Sequence, residues 1–331
     1  MRDDDGGRFC RKLRPPAGLQ DGVHVSQPRL SIIVTLYNER EFAHAALDSV
    51  LAQRLDGTEV IAVDDGSTDG TAELLAEYGD SLRTLLLERN AGVTVARNAG
   101  AAVATGDYLA FLDGDDAFMP WTLEVYEKLI EEIEPLVIIG ERLWFEGAMP
   151  EPGPFPEEIR FVQYDDFFGR DRSITIGSST LVIRRAAWEQ VGGLRPSDPS
   201  ARAVPALEEL DLLWRLGTSG RVVAVMAPPT AFYRVHPRQA TWHTQRQLEA
   251  ASTLCSRERR GEYPGGCRRR LERRACIGGQ VVFWTRTGLR SGAYRLSLRL
   301  LLRNSTFAIA AVAVRAPRLV AGRIPQTALL L

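Results

Sequence analysis

Three carboxylates, Asp113, Asp115 and Asp116, end the segment GDYLAFLDGDD. The apolar residues before them read as a strand from Asp107 to Leu112, so the acids fall at its C-terminal end, the rim at which open α/β sheets bind ligands. Clustered oxygen ligands suit a hard divalent cation, Mg²⁺ or Mn²⁺, which one or two carboxylates hold together with phosphate oxygens. The spacing fits a metal-diphosphate site. It fits equally well a solvated Asx-type turn with Gly114 at its bend.

Two more polar clusters follow apolar runs. Tyr37, Asn38 and Glu39 come after LSIIVTL, and Asp64 and Asp65 come after EVIAV. Strand ends of one parallel sheet share an edge, so a single ligand could touch all three clusters. A ring to stack on, a carboxylate to accept an N–H from a base, and a metal for phosphates together describe a nucleotide. No GxGxxG follows the first strand and no Gly-Lys pair occurs, which argues against dinucleotide oxidoreductases and P-loop enzymes.

The elements that must position these groups are legible from periodicity. Continuous apolar runs at Leu30–Leu36, Glu59–Val63, Leu82–Leu87 and Asp107–Leu112 predict buried strands. Between them Ala43, Ala46, Leu47, Val50 and Leu51 repeat at helical spacing, and helices are expected at Thr71–Tyr78 and Val93–Thr105. This alternation predicts an α/β protein with a doubly wound, Rossmann-like, mostly parallel sheet and helices on both faces.

Composition sets the outer limits. The chain has 331 residues, 45% hydrophobic and 25% charged, enough for one large core or two smaller ones. A formal net charge of −1 gives no general attraction to nucleic acid. Cys10, Cys255, Cys267 and Cys276 form no CxxC pair, so reduced thiols are expected. The N-terminus lacks the apolar run of a signal peptide and no stretch reaches the ~18 apolar residues that cross a bilayer, so a cytoplasmic location is expected.

In order, TLYNERE, VIAVDDGSTDGT, NAGVTVARNAG and GDYLAFLDGDD resemble the inverting nucleotide-diphospho-sugar glycosyltransferases of family 2, with the GT-A fold, over roughly residues 30 to 240. The resemblance implies that Thr35, Tyr37, Glu39 and Asp64 or Asp65 line the nucleoside pocket, with one aspartate on the base, and that Arg97 sits near the diphosphate. Asp113 and Asp115 would be the DxD pair that holds the sugar-side ribose and the metal. Thr35 stands where the family usually has proline, and a slightly reshaped first loop is expected. Glu209, in LEELDLLWRL, takes the place of the catalytic aspartate, with Glu208 and Asp211 beside it. Read on its own, the same segment is an amphipathic helix with a solvated acidic face. The Tyr233–His236 stretch, YRVH, resembles a family element whose histidine completes the metal or diphosphate site.

The implied organisation is a disordered tail at 1–28, a catalytic domain at 29–243 with a nucleotide-binding half to 120 and an acceptor-side half from 121, and a helical, arginine-rich extension at 244–331. The implied activity is metal-assisted, inverting transfer of a sugar from a nucleotide diphosphate to a glycan, glycolipid or small-molecule acceptor. A non-catalytic nucleotide-sugar-binding homologue and a sugar nucleotidyltransferase are the alternatives. The latter should carry a Gly-rich, Lys- or Arg-bearing loop after its first strand, unlike TLYNERE. In the extension, Arg295, Arg299 and Arg303 fall on one helical stripe beside Leu296, Leu300 and Leu301. Such a segment either lies on an anionic membrane at its inner face or packs on its own domain with the arginines in water.

Overall fold

The computed structural model describes residues 10–13, 29–53, 55–155, 157–168, 174–195, 207–237 and 243–320. The chain divides into two compact units. The first comprises Met1–Asp165, Thr175–Leu194 and Ser219–His236; the second comprises Asp166–Ile174, Arg195–Thr218 and Pro237–Leu331.

The first unit is built on one sheet, with ten strands among the described residues: β1 (Cys10–Leu13), β2 (Leu30–Leu36), β3 (Thr58–Asp64), β4 (Arg83–Leu86), β5 (Tyr108–Asp113), β6 (Ala117–Phe118), β7 (Val137–Phe145), β8 (Ile159–Tyr164), β9 (Leu181–Arg184) and β10 (Val222–Arg234). Their order is β1-β8-β10-β7-β9-β5-β2-β3-β4, with β6 paired to β10. Strands β5, β2, β3 and β4 run parallel, as the continuous apolar runs require. Beyond them β9 runs antiparallel to both β5 and β7, so β7 points the same way as β5, and β10 is parallel to β7. The C-terminal ends of β2, β3, β5, β7 and β10 therefore share one edge.

Every residue of β2 is buried, and its side chains alternate between two helical layers. Leu30, Ile32 and Val34 pack with Ala43, Ala46, Leu47 and Val50 of α1 (Arg40–Leu51) and with Leu123, Tyr126 and Leu129 of α4 (Thr122–Ile133). On the opposite face Ile33 and Val63 meet Gly100 of α3 (Val93–Val103), where an added Cβ would collide with Ile33. A short helix, α2 (Thr71–Glu77), links β3 to β4, and another, α5 (Arg185–Gln190), follows β9.

Two segments differ from expectation. Cys10–Leu13 is an antiparallel strand on β8, although a disordered tail was expected throughout 1–28; the open edge of β8 offers these residues a backbone ladder. GSSTLVI, Gly177–Ile183, reads in the sequence as a short strand, but Ser178–Thr180 form a 3₁₀ turn before β9. Serine hydroxyls that bond elsewhere compete with the ladder.

The second unit holds α6 (Glu208–Leu216), α7 (Thr244–Arg259), α8 (Arg270–Arg290), α9 (Tyr294–Arg303) and α10 (Ser305–Val320). Thus α6 falls in the same unit as the C-terminal helices. Within that unit Asp211 binds Arg257 of α7 at 2.8 Å and accepts the Tyr263 hydroxyl at 2.7 Å. Close packing continues at Gly278 of α8, where a Cβ would strike the backbone of Phe307 on α10. Among the described residues no single helix is long and apolar enough to cross a membrane. Tyr294–Arg303 and Ser305–Val314 reach that apolar length only together, across a 73° bend.

Candidate active site

The acids of the DGDD segment leave the end of β5 and turn sharply. Asp116 N–H donates to the Asp113 carbonyl at 3.0 Å, and Gly114 N–H donates to the Thr35 carbonyl at 2.9 Å. The turn passes close to its neighbours at Gly114, where a Cβ would displace the end of the Glu39 side chain and press on Leu36. Ligand oxygens of Asp113, Asp115 and Asp116 lie within 4.8 Å of one another. Three like charges at such a separation repel strongly unless a cation or protons intervene.

The protein balances this charge in part. Arg97 Nη2 donates to Asp113 Oδ1 at 2.6 Å, and Thr35 Oγ donates to the same oxygen at 3.4 Å. Ser178 Oγ donates to Asp113 Oδ2 at 2.6 Å. Burial raises the Asp113 carboxyl, but Arg97 and these hydroxyls outweigh it and hold the group below its ordinary value. Asp116 takes the opposite course: burial first, then the charges of Asp115 and Asp113, push it well above the usual range. Its two oxygens accept the Ser179 hydroxyl at 2.5 Å and the Arg234 N–H at 3.0 Å, which ties the DGDD segment to the 3₁₀ turn before β9 and to β10. Asp115 Oδ2 meets His236 Nε2 at 2.9 Å, and the imidazole packs on Phe42 with ring centroids 5.3 Å apart.

The neighbouring strand ends are stitched together. Asn38 N–H donates to Ser67 Oγ at 2.9 Å, and Asn38 Oδ1 accepts Thr68 N–H at 2.8 Å. Tyr37 stays 44% exposed at this rim. The two acids after β3 have separate surroundings. Asp65 accepts the N–H groups of Ala91 and Gly92, each at 2.8 Å, and so fixes the start of α3; burial, with help from Asp64, raises its carboxyl against those bonds. Asp64 accepts Ser67 N–H on Oδ2 at 3.0 Å, while its Oδ1 is buried without a hydrogen-bond partner.

Thus Thr35, Arg97, Asp113, Asp115 and His236 form one connected group. Tyr37, Glu39, Asp64 and Asp65 lie along the same sheet edge. Asp116, expected only as a neighbour, belongs to the triad, and His236 touches the triad through Asp115. Ser178 and Ser179 were missed; their signal is the hydroxyl run of GSST, two small polar residues where a strand should be apolar. In the second unit, Glu208 and Asp211 are only 2% and 1% exposed, whereas Glu209 between them is half-buried. Leu210, Leu213 and Trp214 pack inward, as an amphipathic helix predicts.

The sequence profile described as Glycosyl transferase family 2 matches residues 31–191. TuaG of Bacillus subtilis, a glycosyltransferase named for teichuronic acid biosynthesis, is 40% identical over 169 residues, covering 50% of this chain and 66% of its own length. Among four curated relatives the aligned part spans from 30% to 69% of the relative's own length. The structure of Staphylococcus aureus TarS 1–349 with UDP-GlcNAc matches at TM-score 0.59 and 17% identity, covering 76% of this chain and 71% of that one. The mannosyltransferase PcManGT of Pyrobaculum calidifontis, with GDP-Man and Mn²⁺, matches at TM-score 0.53 and 19% identity, over 87% of both chains. At these identities the structural likeness is one of fold, the GT-A arrangement.

Proposed function

Residues 31–191 make this chain a member of glycosyltransferase family 2, and from that premise we propose that it transfers a sugar from a nucleotide diphosphate to an acceptor hydroxyl with inversion. The observation that carries this reading is the cluster of three carboxylates at the end of β5. It lies on the same sheet edge as the buried, unpartnered oxygen of Asp64. An orphaned buried acceptor calls for a donor, and the N–H of a nucleobase supplies one. Asp64 is therefore assigned to the base. Asp65, with both oxygens on backbone N–H groups, positions the loop before α3.

Asp113 and Asp115 suit a divalent cation, because their carboxylates carry more negative charge than Arg97 offsets. Bound there, Mn²⁺ or Mg²⁺ would neutralise charge on the departing diphosphate. Arg97 holds Asp113 in place, His236 orients Asp115, and Tyr37 and Glu39 border the nucleoside. Glu209 is the proposed base that takes the proton from the acceptor hydroxyl, being the one acid of its turn that is not buried. TarS and PcManGT bind UDP-GlcNAc and GDP-Man respectively, which supports a nucleoside diphosphate donor without choosing its base.

Peripheral membrane contact belongs to the same reading, with its face redrawn. Leu300 is buried on α9, whereas Tyr294, Leu298 and Leu302 are 65%, 54% and 66% exposed, beside Arg295, Arg299 and Arg303. An apolar stripe flanked by an arginine stripe complements anionic lipid. The test of the enzymatic reading is turnover of a nucleotide-sugar panel with and without Mn²⁺. Release of one nucleoside diphosphate, dependent on metal and acceptor, is expected. Donor binding with no transfer to any acceptor would favour a binding protein instead.

A further inference from the structure

On the far side of the carboxylates from Asp64, the same sheet edge carries a second polar and aromatic group. Arg142 and Trp144 lie two residues apart on β7 and so share a face, and Trp144 is in register with Tyr233 of β10. The Arg142 guanidinium lies 4.8 Å from the Trp144 ring centre and 4.9 Å from that of Tyr233. The two rings are tilted, with centroids 4.4 Å apart. Trp144 is 55% exposed. Among the described residues Arg142 has no carboxylate partner, and its Nε is buried without a hydrogen bond.

The position ties this group to the site. The guanidinium sits where a Cβ on Gly177 would fall, and the next residue, Ser178, donates to Asp113. Along the edge the order is β3 with Asp64, β2 with Tyr37, β5 with the acids, then β9, β7 and β10. β7 and β10 lie beyond β5 in this order, and the end of β10 reaches the acids, since Arg234 N–H donates to Asp116. The donor's nucleoside belongs on one side of the acids, so the other side is left for the molecule that receives the sugar. An exposed indole offers an apolar face to a pyranose ring, and a cation held by aromatic rings and lacking a carboxylate offers a bidentate fork to an anion.

We propose that Arg142, Trp144 and Tyr233 form an acceptor subsite for a saccharide bearing a carboxylate or phosphate, the ring stacking on Trp144 and the anion meeting Arg142. The inference rests on the transferase reading, so donor binding is measured on the same samples. The probes are tetragalacturonate, a phosphorylated maltotetraose and neutral maltotetraose, titrated into the full chain by calorimetry. One anionic probe should bind about tenfold or more tighter than the neutral one, and which of the two it is names the anion. Arg142→Gln should remove that preference and leave neutral binding unchanged, whereas Trp144→Ala should weaken all three probes. Neither variant should alter the thermal shift given by UDP, GDP and Mn²⁺. Equal binding of charged and neutral probes, no binding of any probe, or wild-type preference in Arg142→Gln would overturn the subsite. Loss of the nucleotide shift in the wild-type protein would instead overturn the transferase reading itself.

Discussion

The two units each bury a group of acids, and they treat the charge in opposite ways. At the end of β5 three carboxylates crowd within 4.8 Å, with Arg97 bound to one of them. In the second unit a single carboxylate, Asp211, collects Arg195 at 2.7 Å, Arg215 at 3.0 Å, Arg257 at 2.8 Å and the Tyr263 hydroxyl at 2.7 Å. Glu258 and Arg273 repeat the pattern with a buried pair at 2.7 Å. A buried carboxylate with its lone pairs filled is part of the structure, whereas like charges left together ask for a cation from outside. The contrast also sorts the arginines. Those of α7 and α8 at 257 and 273 are paired and buried, while Arg295, Arg299 and Arg303 of α9 have no carboxylate partner among the described residues.

The largest expected effect is on turnover. Glu209→Gln should cut transfer by roughly two to four orders of magnitude and leave donor affinity nearly intact. Glu208 and Asp211 cannot substitute, being closed to solvent. Unchanged turnover would break the distinction between the half-buried acid and its buried neighbours.

Next comes stability. Asp211→Asn strands three arginines around a neutral amide and should cost about 3–5 kcal/mol in denaturant unfolding. A loss of less than about 1 kcal/mol, typical of exposed pairs, would mean that the cluster does not hold the second unit together. The pH dependence sharpens the point. Burial raises the Asp211 carboxyl, but hydrogen bonds from Arg195 and the charges of Arg257 and Arg215 hold it below its ordinary 3.8. The stability from this ionised group is present above pH 3.8 and is lost as pH falls through the lower folded value. Asp211→Asn should therefore lose part of the acid-unfolding step below pH 3.8 that the parent shows.

A smaller effect is expected at the surface. Each arginine near an anionic bilayer contributes about 1 kcal/mol, so Arg295, Arg299 and Arg303 all changed to Gln should release the protein from acidic liposomes, more readily as salt rises. A wild-type protein that ignores such liposomes at low salt would remove the membrane role from α9.

Much of this contrast is legible in the sequence. The strands β2, β3 and β5 announce themselves as apolar runs, and the acids at their ends follow from where those runs stop. Local pattern also finds the buried face of α1. What periodicity does not carry is which charge meets which. Asp64 and Asp65 are adjacent and chemically identical, yet one is satisfied by the amides of Ala91 and Gly92 from a distant loop and the other is not. The arginine stripe of α9 is visible at helical spacing, but the apolar partner of that stripe depends on which leucines α7 and α8 cover. Asp211 reads as one acid of a solvated face until Arg195 and Arg257, 16 and 46 positions away, fold onto it. Long-range pairing of this kind lies beyond any window of local sequence.

The central claim is that the acids of the first unit are short of positive charge and those of the second are not. It is tested most directly by the thermal shift that UDP or GDP with Mn²⁺ produces in the wild-type protein and in Asp115→Asn. Ligand at 100 times its dissociation constant stabilises by about 2.7 kcal/mol, a shift readily measured. The account predicts a metal-dependent shift in the wild-type protein and little or none in Asp115→Asn, whose ligand-free melting temperature should be unchanged or higher because a like charge has gone. A full metal-dependent shift in Asp115→Asn would contradict it.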